Sequence, residues 1–408
     1  MKTVLMISWF YPPLNSTASK RAGCFAKYLP QYGWAPIVVT PEWRPDNCIY
    51  DRDYIKNIPT IVKVHTVPFN PSSIRTPVSQ FIKRVKNLVL PHHDPHEWHY
   101  AAQKEIENIF HNNRLDMIWA TFPMALPHSL AAWASWKWSV PWVADFRDIY
   151  GEFKRQYIGD RIKYPIRLFY EKKMIRTASG IVTVSDALRY ALENRHRKKV
   201  VLIPNGYDPD DNIDTPSRIP VFNITYTGTV LLPQQNPLPV AIALDRLIKS
   251  QKVDPCDVSM DFYGTDQEKG QMIFGDLRKF PFVRFFNRVS ARECLNRQKS
   301  SAVLLQLAHA EEKGIMTGKI FEYLQAGRPI LSVPNDGDCI DQLLNETSAG
   351  VALTNVDDIA DQLLEWYREW KRTGYIAIHA NQSAIQRYSR KEHTRLLADL
   401  FNQILNGQ

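Results

Sequence analysis

The chain has 408 residues, 44% of them hydrophobic and 23% charged, a composition that excludes disordered and fibrous proteins. Because a single hydrophobic core stops growing at about 250–300 residues, this length predicts two domains. The net charge of +9 is uneven, since residues 1–204 hold 29 Lys and Arg against 16 Asp and Glu, and the remainder is mildly acidic. This asymmetry indicates that one domain faces an anionic partner.

The five cysteines are scattered along the chain without the spacing of a metal site or a disulfide framework, which is typical of isolated thiols in a reducing compartment. The apolar run at Val4–Phe10 is too short for a signal peptide and meets two prolines, so we interpret it as a buried strand. No stretch approaches the roughly 18 apolar residues that cross a bilayer. We expect a protein that is soluble or bound at a membrane surface.

Short β runs alternate with helical stretches in the first half of the chain. The first strand, Val4–Trp9, is a continuous apolar run, as in a parallel strand covered on both faces. A loop then leads into a helix near Ala18–Gln31. Further strands are predicted at Ile37–Thr40, Ile61–Val67, Met117–Ala120, Trp142–Asp145, Ile181–Val184 and Val200–Pro204. Helices are predicted between most of these strands, for example at Trp98–His111 and Ile162–Thr177. This alternation predicts right-handed βαβ units and a parallel sheet.

Residues 205–220 are rich in Pro, Asp and Asn and lack periodicity, which predicts an interdomain linker. The alternation then restarts. Strands are predicted at Asn223–Thr227, Ser259–Tyr263, Val283–Phe286, Ala302–Leu305, Pro329–Val333 and Gly350–Leu353. Helices are predicted at Pro237–Ser250, Ala291–Lys299, Lys319–Ala326, Cys339–Asn345, Val356–Lys371 and Arg390–Leu405. We therefore expect an α/β protein with two Rossmann-like doubly wound domains, residues 1–204 and 221–388, that face each other across a ligand cleft.

The segment 314–334 (GIMTGKIFEYLQAGRPILSVP) carries the most chemistry. Thr317 and Gly318 open a helix, whose N-terminus offers free N–H groups and a positive dipole to a phosphate. Lys319 adds a cation in the first turn. Glu322 lies one turn further on the same face and can accept two hydrogen bonds from ribose hydroxyls. A solvated Lys–Glu pair on a surface helix is the alternative.

The string GKIFEYLQAGRPIL closely resembles the donor-binding segment of GT-B glycosyltransferases, in particular those of glycosyltransferase family 4. Other strings resemble the family in the same order along the chain. They are ISWFYPPLNSTASKRAGCFAKYLPQYGWAPIVVT, IVTVSDALRYAL, VLIPNGYDPDD, NITYTGTV, MDFYGTD and VRFFNRVSARE. The resemblance implies that residues 221–388 bind a nucleotide-diphosphate sugar and that residues 1–204 bind the acceptor. It also implies that a C-terminal helix within residues 389–408 returns to the first domain.

The resemblance carries a set of expected binding residues. The donor-binding residues are Gly228, Thr229, Gly264, Arg288, Val289, Met316, Thr317, Gly318, Lys319 and Glu322. The loop Asn15, Ser16 and Thr17 is expected to bind the acceptor or a phosphate. Two departures from the family stand out. Gly314 occupies the place of a first glutamate, and residues 229–236 (TVLLPQQN) lack the usual diphosphate-binding Arg and Lys, so the diphosphate would rely on Lys319, nearby amides and the opening loop.

Asp145, Phe146, Arg147 and Asp148 follow a strand at its carboxyl end, where α/β active sites lie. In the subfamily that this chain resembles, an ADFRD string faces the cleft. Arg147 is expected to stabilise phosphate charge as the nucleoside diphosphate leaves, and Asp148 to orient or deprotonate the acceptor hydroxyl. The alternative is a buried Asp–Arg pair that holds the loop, and Asp145 is expected to cap the turn.

We expect no metal and no other cofactor. Prolines interrupt the histidine-rich segment 92–99, so a polar loop before a helix is favoured over a zinc site there. Acidic strings at 51–53 and 336–338 imitate the metal-binding motif of the other glycosyltransferase fold, but Lys319 and helix dipoles can neutralise the leaving diphosphate. The tryptophans of the run 133–142 are expected to be mostly core residues, with one or two as candidates to line an acceptor groove. Residues 75–90 form a basic amphipathic pattern that suits either an anionic membrane surface or an ordinary core-facing helix.

The resemblance implies a retaining, metal-independent hexosyltransferase that uses a UDP-, GDP- or TDP-sugar. Its implied acceptor is a polyprenyl-diphosphate-linked intermediate of bacterial surface polysaccharide or lipopolysaccharide synthesis. We therefore expect a cytoplasmic protein, with a peripheral position on the inner face of the cytoplasmic membrane, and no nucleic-acid partner. Three alternatives stay open: transfer to a soluble small molecule, epimerisation of a nucleotide sugar on the same fold, and non-catalytic binding of a nucleotide sugar.

Overall fold

A computed structural model describes residues 1–44, 55, 57–68, 96–123, 125–148, 158–211, 216, 218–309, 314 and 316–407. The chain divides into two compact units. Unit 1 comprises Met1–Pro204 with Arg390–Gln408, and unit 2 comprises Asn205–Ser389. Among the described residues, no helix combines the length and the apolar character that crossing a bilayer requires. The basic segment 75–90 and the predicted acidic string 51–53 lie outside the described residues.

Unit 1 contains a parallel sheet of seven strands in the order β3-β2-β1-β4-β5-β6-β7. The strands are β1 (Lys2–Ser8), β2 (Trp34–Pro41), β3 (Lys63–Val67), β4 (Met117–Thr121), β5 (Trp142–Phe146), β6 (Gly180–Thr183) and β7 (Val200–Leu202). Leu5 of β1 pairs in register with Ile37 on one side and Ile118 on the other. The strand order reverses next to β1, which creates the switch point at which doubly wound sheets bind ligands.

Helices cover both faces of this sheet, so its inner strands are buried on both sides, whereas the edge strand β3 is largely exposed. They are α1 (Thr17–Tyr28), α2 (His96–Asn112), α3 (Ala125–Trp138), α4 (Ile158–Ile175) and α5 (Asp186–His196). One apolar core joins the sheet to α2 and α3, and a second core on the other face includes α1.

Unit 2 repeats the arrangement with six parallel strands in the order β10-β9-β8-β11-β12-β13. The strands are β8 (Phe222–Thr227), β9 (Val258–Tyr263), β10 (Val283–Phe286), β11 (Val303–Leu307), β12 (Ile330–Val333) and β13 (Gly350–Ala352). The helices are α6 (Leu238–Lys249), α7 (Gln267–Phe274), α8 (Ala291–Lys299), α9 (Gly318–Ala326), α10 (Cys339–Thr347), α11 (Val356–Thr373) and α12 (Gln382–Gln386). Two apolar cores again cover the two faces of the sheet.

The last helix, α13 (Arg390–Leu405), belongs to unit 1 although it follows unit 2 in the chain. Its residues Leu397 and Phe401 are fully buried in the same core as Val4 and Met6 of β1. The ring of Phe401 meets that of Trp34 edge-on, with 5.1 Å between centroids. The last helix of the chain therefore packs against the N-terminal sheet.

The predicted fold class, two doubly wound parallel sheets, is confirmed. Each predicted strand is present within a few residues, and helices lie between most strands as predicted, whereas α7 and α12 were not predicted. Helix α3 is apolar on most of its circumference, so it lacks the one-sided pattern that signals a helix. Of the tryptophans expected to be mostly core residues, Trp142 is buried, Trp133 and Trp138 pack partly buried against the core, and Trp136 is 79% exposed. Helix α2 begins at His96, so this residue lies in a helix and not in the predicted loop.

Candidate functional site

Two glycine turns end the neighbouring strands β8 and β9 in unit 2. Gly228 has a φ of 123° and Gly264 a φ of 92°, conformations that residues with a Cβ atom rarely adopt. Side-chain hydrogen bonds tie the two turns together. The Oγ1 of Thr229 donates to the Gly264 carbonyl at 3.0 Å, and the Oγ1 of Thr265 donates to the Gly228 carbonyl at 2.8 Å. The carboxyl edge of the sheet is therefore a rigid backbone platform at this point.

The side chain of Lys319 lies on this platform. Lys319 is in the first turn of α9, which follows β11, the strand on the other side of β8. Its Nζ is 3.7 Å from the ring centroid of Tyr226, the residue two before Gly228. A Cβ on Gly228 would approach this Nζ to 3.0 Å. Gly228 thus leaves the space that the ammonium fills, and the π face of Tyr226 supports the cation.

Burial lowers the pKa of Lys319 from its usual value to about 7, and the negative charge of Glu322 opposes this shift in part. No carboxylate of the described residues forms an ion pair with the Lys319 ammonium. The hydroxyl of Tyr323 accepts a hydrogen bond from the Thr227 backbone N–H at 3.0 Å and so anchors α9 to the end of β8. The position of Lys319 is therefore set by its own helix.

The remaining predicted donor residues lie on two different parts of unit 2. Met316, Thr317, Gly318 and Glu322 are half-buried at or near the start of α9. Thr317 occupies the N-cap of α9, but its side chain makes no capping hydrogen bond, and its Oγ1 is buried without a partner. Exposed Arg288 and half-buried Val289 lie beyond β10, at one edge of the sheet.

The acidic string Asp336–Asp338 has a structural role in unit 2. The carboxylate of Asp336 accepts hydrogen bonds from the backbone N–H groups of Asp338, Ile340 and Asp341 at 3.0–3.1 Å. These bonds satisfy N–H groups in and just before the first turn of α10. Asp338 and Cys339 lie nearby, but the oxygens of Asp336 are already used by the backbone. The expectation that the protein needs no metal stays a prediction.

Asp145, at the carboxyl end of β5 in unit 1, forms a buried ion pair with Arg21 of α1. Its carboxylate accepts from Arg21 Nε at 3.1 Å and Nη2 at 2.7 Å, and from Thr121 Oγ1 at 2.7 Å. Arg21 Nη1 also donates to the Pro204 carbonyl at 3.0 Å. Removing one partner of such a pair typically costs about 3–5 kcal/mol of stability. Asp145 thus binds an arginine of α1 that sequence analysis did not identify as its partner, and its carboxylate joins α1 to the ends of β4 and β5.

His128 of α3 is a second residue of this region that sequence analysis missed. Its Nε2 lies 3.1 Å from the Ala120 carbonyl and 3.2 Å from the Asp145 carbonyl. Burial lowers its pKa to about 4, so the imidazole is neutral near pH 7. Two carbonyl acceptors fix Nε2 as the protonated nitrogen. No sequence signal marked this residue, because a single histidine in an apolar helix has no characteristic spacing.

Arg147 and Asp148 follow β5 directly. The Nε and Nη1 of Arg147 are buried and have no hydrogen-bond partner among the described residues, an arrangement that costs about 1–3 kcal/mol for each unsatisfied group. Burial lowers the pKa of Arg147 to about 10. Burial raises the pKa of Asp148, with the charge of Arg147 opposing the shift.

The predicted loop residues lie at the start of α1. Ser16 caps this helix by accepting a hydrogen bond from the Ser19 N–H at 3.1 Å. Asn15 precedes Ser16, and Thr17 begins the helix.

Comparisons with known proteins agree with the fold and with the resemblance. Residues 19–211 match the family model described as Glycosyltransferase Family 4. HepE from Anabaena, solved in complex with UDP, has a similar structure with a TM-score of 0.63 and 16% identity, over 99% of this chain and 100% of that chain. No curated protein matches the sequence.

Two further solved structures have different activities in their names. Sucrose-phosphate synthase from Thermosynechococcus elongatus is similar with a TM-score of 0.61 and 12% identity over 100% of both chains. A protein from Listeria monocytogenes assigned as a UDP-N-acetylglucosamine 2-epimerase is similar with a TM-score of 0.56 and 10% identity, over 100% of this chain and 98% of that chain. The chain thus has the GT-B fold, and the predicted resemblance to family 4 glycosyltransferases is confirmed.

We expect nucleoside diphosphate binding to weaken as pH rises above 7. With a pKa of about 7 in the free protein, Lys319 is charged below this pH and must take up a proton to bind a phosphate above it. The Kd should therefore rise by up to about tenfold per pH unit until the raised pKa of the complex is reached. Isothermal titration calorimetry at a series of pH values measures this dependence.

The matched control is Lys319→Arg, because a guanidinium stays charged over the same range. Its affinity should change little between pH 7 and 9. If the wild-type protein showed the same flat profile as the arginine variant, Lys319 would not be the proton-linked cation of this site.

Proposed function

We propose that this protein is a glycosyltransferase that moves a sugar from a nucleotide-diphosphate sugar to a hydroxyl acceptor. The observation that carries the proposal is the Lys319 ammonium, which lies 3.7 Å from the Tyr226 ring centroid beside the Gly228 turn. A desolvated cation without a carboxylate partner, at the start of a helix and at a sheet switch point, suits a diphosphate. The UDP complex of the similar HepE structure supports this class of donor.

In the proposed donor complex, Lys319 and the first turn of α9 bind the diphosphate. The buried Oγ1 of Thr317 lacks a partner and can donate to a phosphate oxygen. Glu322, one turn further along α9, would accept hydrogen bonds from the ribose hydroxyls. Because residues 229–236 offer no basic side chain, Lys319 carries a larger share of the charge neutralisation than a site with several cations would require. We propose a UDP-, GDP- or TDP-hexose as donor, without a metal ion.

Unit 1 supplies the acceptor groups in this proposal. Asp148 follows β5 in a partly desolvated position that raises its pKa, which makes it a stronger base than an exposed carboxylate once it is ionised. It would orient or deprotonate the acceptor hydroxyl. Arg147 adds a permanent cation at the same strand end. We propose that transfer retains the anomeric configuration, on the strength of the family resemblance.

A surface of unit 1 supports an acceptor that is linked to a lipid. On α4 the side chain of Phe169 is 64% exposed and that of Tyr170 is 36% exposed. Lys172, Lys173 and Arg176 are exposed on the same stretch of chain. Phe169, Lys172, Lys173 and Arg176 fall within one side of a helix at 100° per residue. Aromatic rings flanked by cations are typical of elements that lie in the interface of an anionic bilayer.

We therefore propose that the acceptor is a polyprenyl-diphosphate-linked intermediate of surface polysaccharide or lipopolysaccharide synthesis. The protein would work at the inner face of the cytoplasmic membrane. Transfer to a soluble acceptor is the second candidate, because the similar structures include a sucrose-phosphate synthase. Epimerisation is the third, because they include a protein assigned as an epimerase. Simple nucleotide-sugar binding without turnover is the fourth.

Removing the donor-site charges should abolish most turnover. A thermal-shift screen against UDP, GDP, TDP and their sugars first identifies the cognate donor, because a ligand of the folded state stabilises it. We expect Lys319→Ala and Glu322→Ala each to lower kcat/KM by about 10²-fold or more, since each removes a group that binds the donor. Release of nucleoside diphosphate measures the rate.

Lys249→Ala is the control for this experiment, because Lys249 is an exposed lysine of the same unit, and it should be neutral. Unchanged donor binding and turnover in both active-site variants would refute the assignment of the donor site. Product analysis separates the candidates: sugar transfer supports the proposal, whereas an epimerised nucleotide sugar or no turnover supports the alternatives.

Vesicle binding tests the membrane part of the proposal. The triple change Phe169→Ser, Lys172→Glu and Lys173→Glu should remove flotation with vesicles that contain anionic lipid, because it removes both the apolar contact and the attraction to headgroups. Trp136→Ser, on α3, removes a more exposed aromatic residue and serves as the control. Equal flotation of the triple variant and the wild type would eliminate α4 as the contact surface, and no flotation of the wild type would favour a soluble acceptor.

A further inference from the structure

The guanidinium of Arg147 is a buried charge whose nearest acidic neighbours do not bind it. Its Nε and Nη1 are buried without a hydrogen-bond partner. Asp145, two residues earlier, gives its oxygens to Arg21 and Thr121. Asp148 influences Arg147 through its charge, but no hydrogen bond or ion pair joins the two side chains among the described residues. The donors of Arg147 therefore await an acceptor that the described chain does not provide.

The surroundings of Arg147 favour an anion. The charges of Arg21, from α1, and Arg390, from α13, both lower the pKa of Arg147, while Asp145 and Asp148 act in the opposite direction and burial has the largest effect. Because the Asp145 carboxylate already binds Arg21 and Thr121, it is not available as a hydrogen-bond acceptor for Arg147. A pKa of about 10 still leaves Arg147 charged at neutral pH. A charged guanidinium without a counter-ion is the preferred protein partner of a phosphate.

The ion pair between Arg21 and Asp145 determines where this guanidinium can lie. It joins α1 to the end of β5, and Thr121 adds the end of β4. Arg21 also donates a hydrogen bond to the carbonyl of Pro204, the last residue of unit 1 before the chain enters unit 2. Both Arg21 and Asp145 are essentially inaccessible to solvent. These bonds hold the end of β5 in place. Because Arg147 directly follows β5, its backbone has a defined position at the carboxyl edge of the sheet.

We propose that Arg147 binds a phosphate or diphosphate group of the acceptor, so that the acceptor of this enzyme is a phosphorylated molecule. This inference rests on the proposed function. The donor diphosphate has its own cation, Lys319 of unit 2, whereas Arg147 belongs to the unit to which the acceptor is assigned. The paired N–H groups of a guanidinium match the oxygens of one phosphate and allow bidentate binding. The polyprenyl diphosphate of a lipid-linked glycan and the phosphate of a soluble sugar phosphate share this chemistry.

The test is a calorimetric titration of the full-length protein with inorganic pyrophosphate while the cognate nucleoside diphosphate saturates the Lys319 site. We expect the wild type to bind pyrophosphate and Arg147→Met to bind it at least about tenfold more weakly. Arg147→Lys should recover part of the affinity, because lysine keeps the positive charge but lacks the paired N–H groups of a guanidinium. Arg114→Met removes a 95% exposed arginine of the same unit and should have no effect.

The same variant separates ligand binding from a structural role. Since no described residue accepts from the buried nitrogens of Arg147, Arg147→Met should leave the melting temperature unchanged or raise it. A melting temperature lowered by several degrees would show a structural arginine and overturn the proposal. The proposal would also fail if Arg147→Met weakened nucleoside diphosphate binding as much as Lys319→Ala, because the anion would then belong to the donor.

Competition identifies the source of the phosphate. Displacement of pyrophosphate by farnesyl diphosphate but not by glucose 6-phosphate indicates a lipid-linked acceptor, and the reverse indicates a soluble phosphorylated acceptor. If neither molecule competes, or if the wild type binds no pyrophosphate, Arg147 does not recognise the acceptor phosphate. Because this readout requires no sugar transfer, it can fail while nucleoside diphosphate binding at Lys319 holds. A failure of donor binding is seen separately, as a protein that no nucleoside diphosphate stabilises or saturates.

Discussion

The ammonium of Lys319 occupies the space that Gly228 leaves beside the ring of Tyr226, and the proposed donor site of unit 2 depends on this contact. Three elements must meet for it to form. Parallel pairing places the ends of β8 and β9 side by side, and the connection after β11 brings the start of α9 back over β8. A side chain at position 228 would displace the lysine, and a polar residue at position 226 would remove its supporting ring. The geometry thus explains why a glycine and an aromatic residue stand two positions apart at this strand end.

The two units use chemically different cations. Burial shifts the pKa of Lys319 to about 7, so this ammonium changes charge within the physiological range. Burial lowers the pKa of Arg147 only to about 10, because a guanidinium spreads its charge over three nitrogens and is weakly hydrated. In this account, the cation of the anion site in unit 2 gains and loses a proton near neutral pH, whereas the cation of the site in unit 1 stays charged. The positive charge that sequence analysis found concentrated in residues 1–204 contains at least one such specific site, as well as the cations of α4.

Sequence analysis predicted the fold well because parallel strands that are buried on both faces leave continuous apolar runs, such as Val4–Trp9. Helices with a one-sided apolar pattern, such as Ala291–Lys299, were predicted to the residue. No bounds were predicted for helix α3, because it is apolar on most sides and shows no clear period. Short helix α7 offers only eight residues, too few for a clear period.

The donor segment was found because its residues lie close together along the chain, at Thr317–Glu322. The contacts that complete the sites were not predictable in this way. Tyr226 reaches Lys319 across 93 positions, and Arg21 reaches Asp145 across 124. Such pairs leave no local pattern, since only the topology of the sheet brings them together. The lack of hydrogen-bond partners for Nε and Nη1 of Arg147 among the described residues likewise results from packing. The string DFRD alone does not show whether its guanidinium is hydrogen-bonded within the protein.

The central claim is that a desolvated Lys319 is the cation that receives the donor diphosphate. Nuclear magnetic resonance of protein labelled with ¹³C-lysine measures it most directly, with the Lys319 signal assigned from its absence in Lys319→Arg. The account predicts that Lys319 titrates near pH 7 in the free protein and that its pKa rises when the cognate nucleoside diphosphate binds. An ordinary lysine pKa of about 10.4 in the free protein, or a pKa that the nucleotide leaves unchanged, would contradict it.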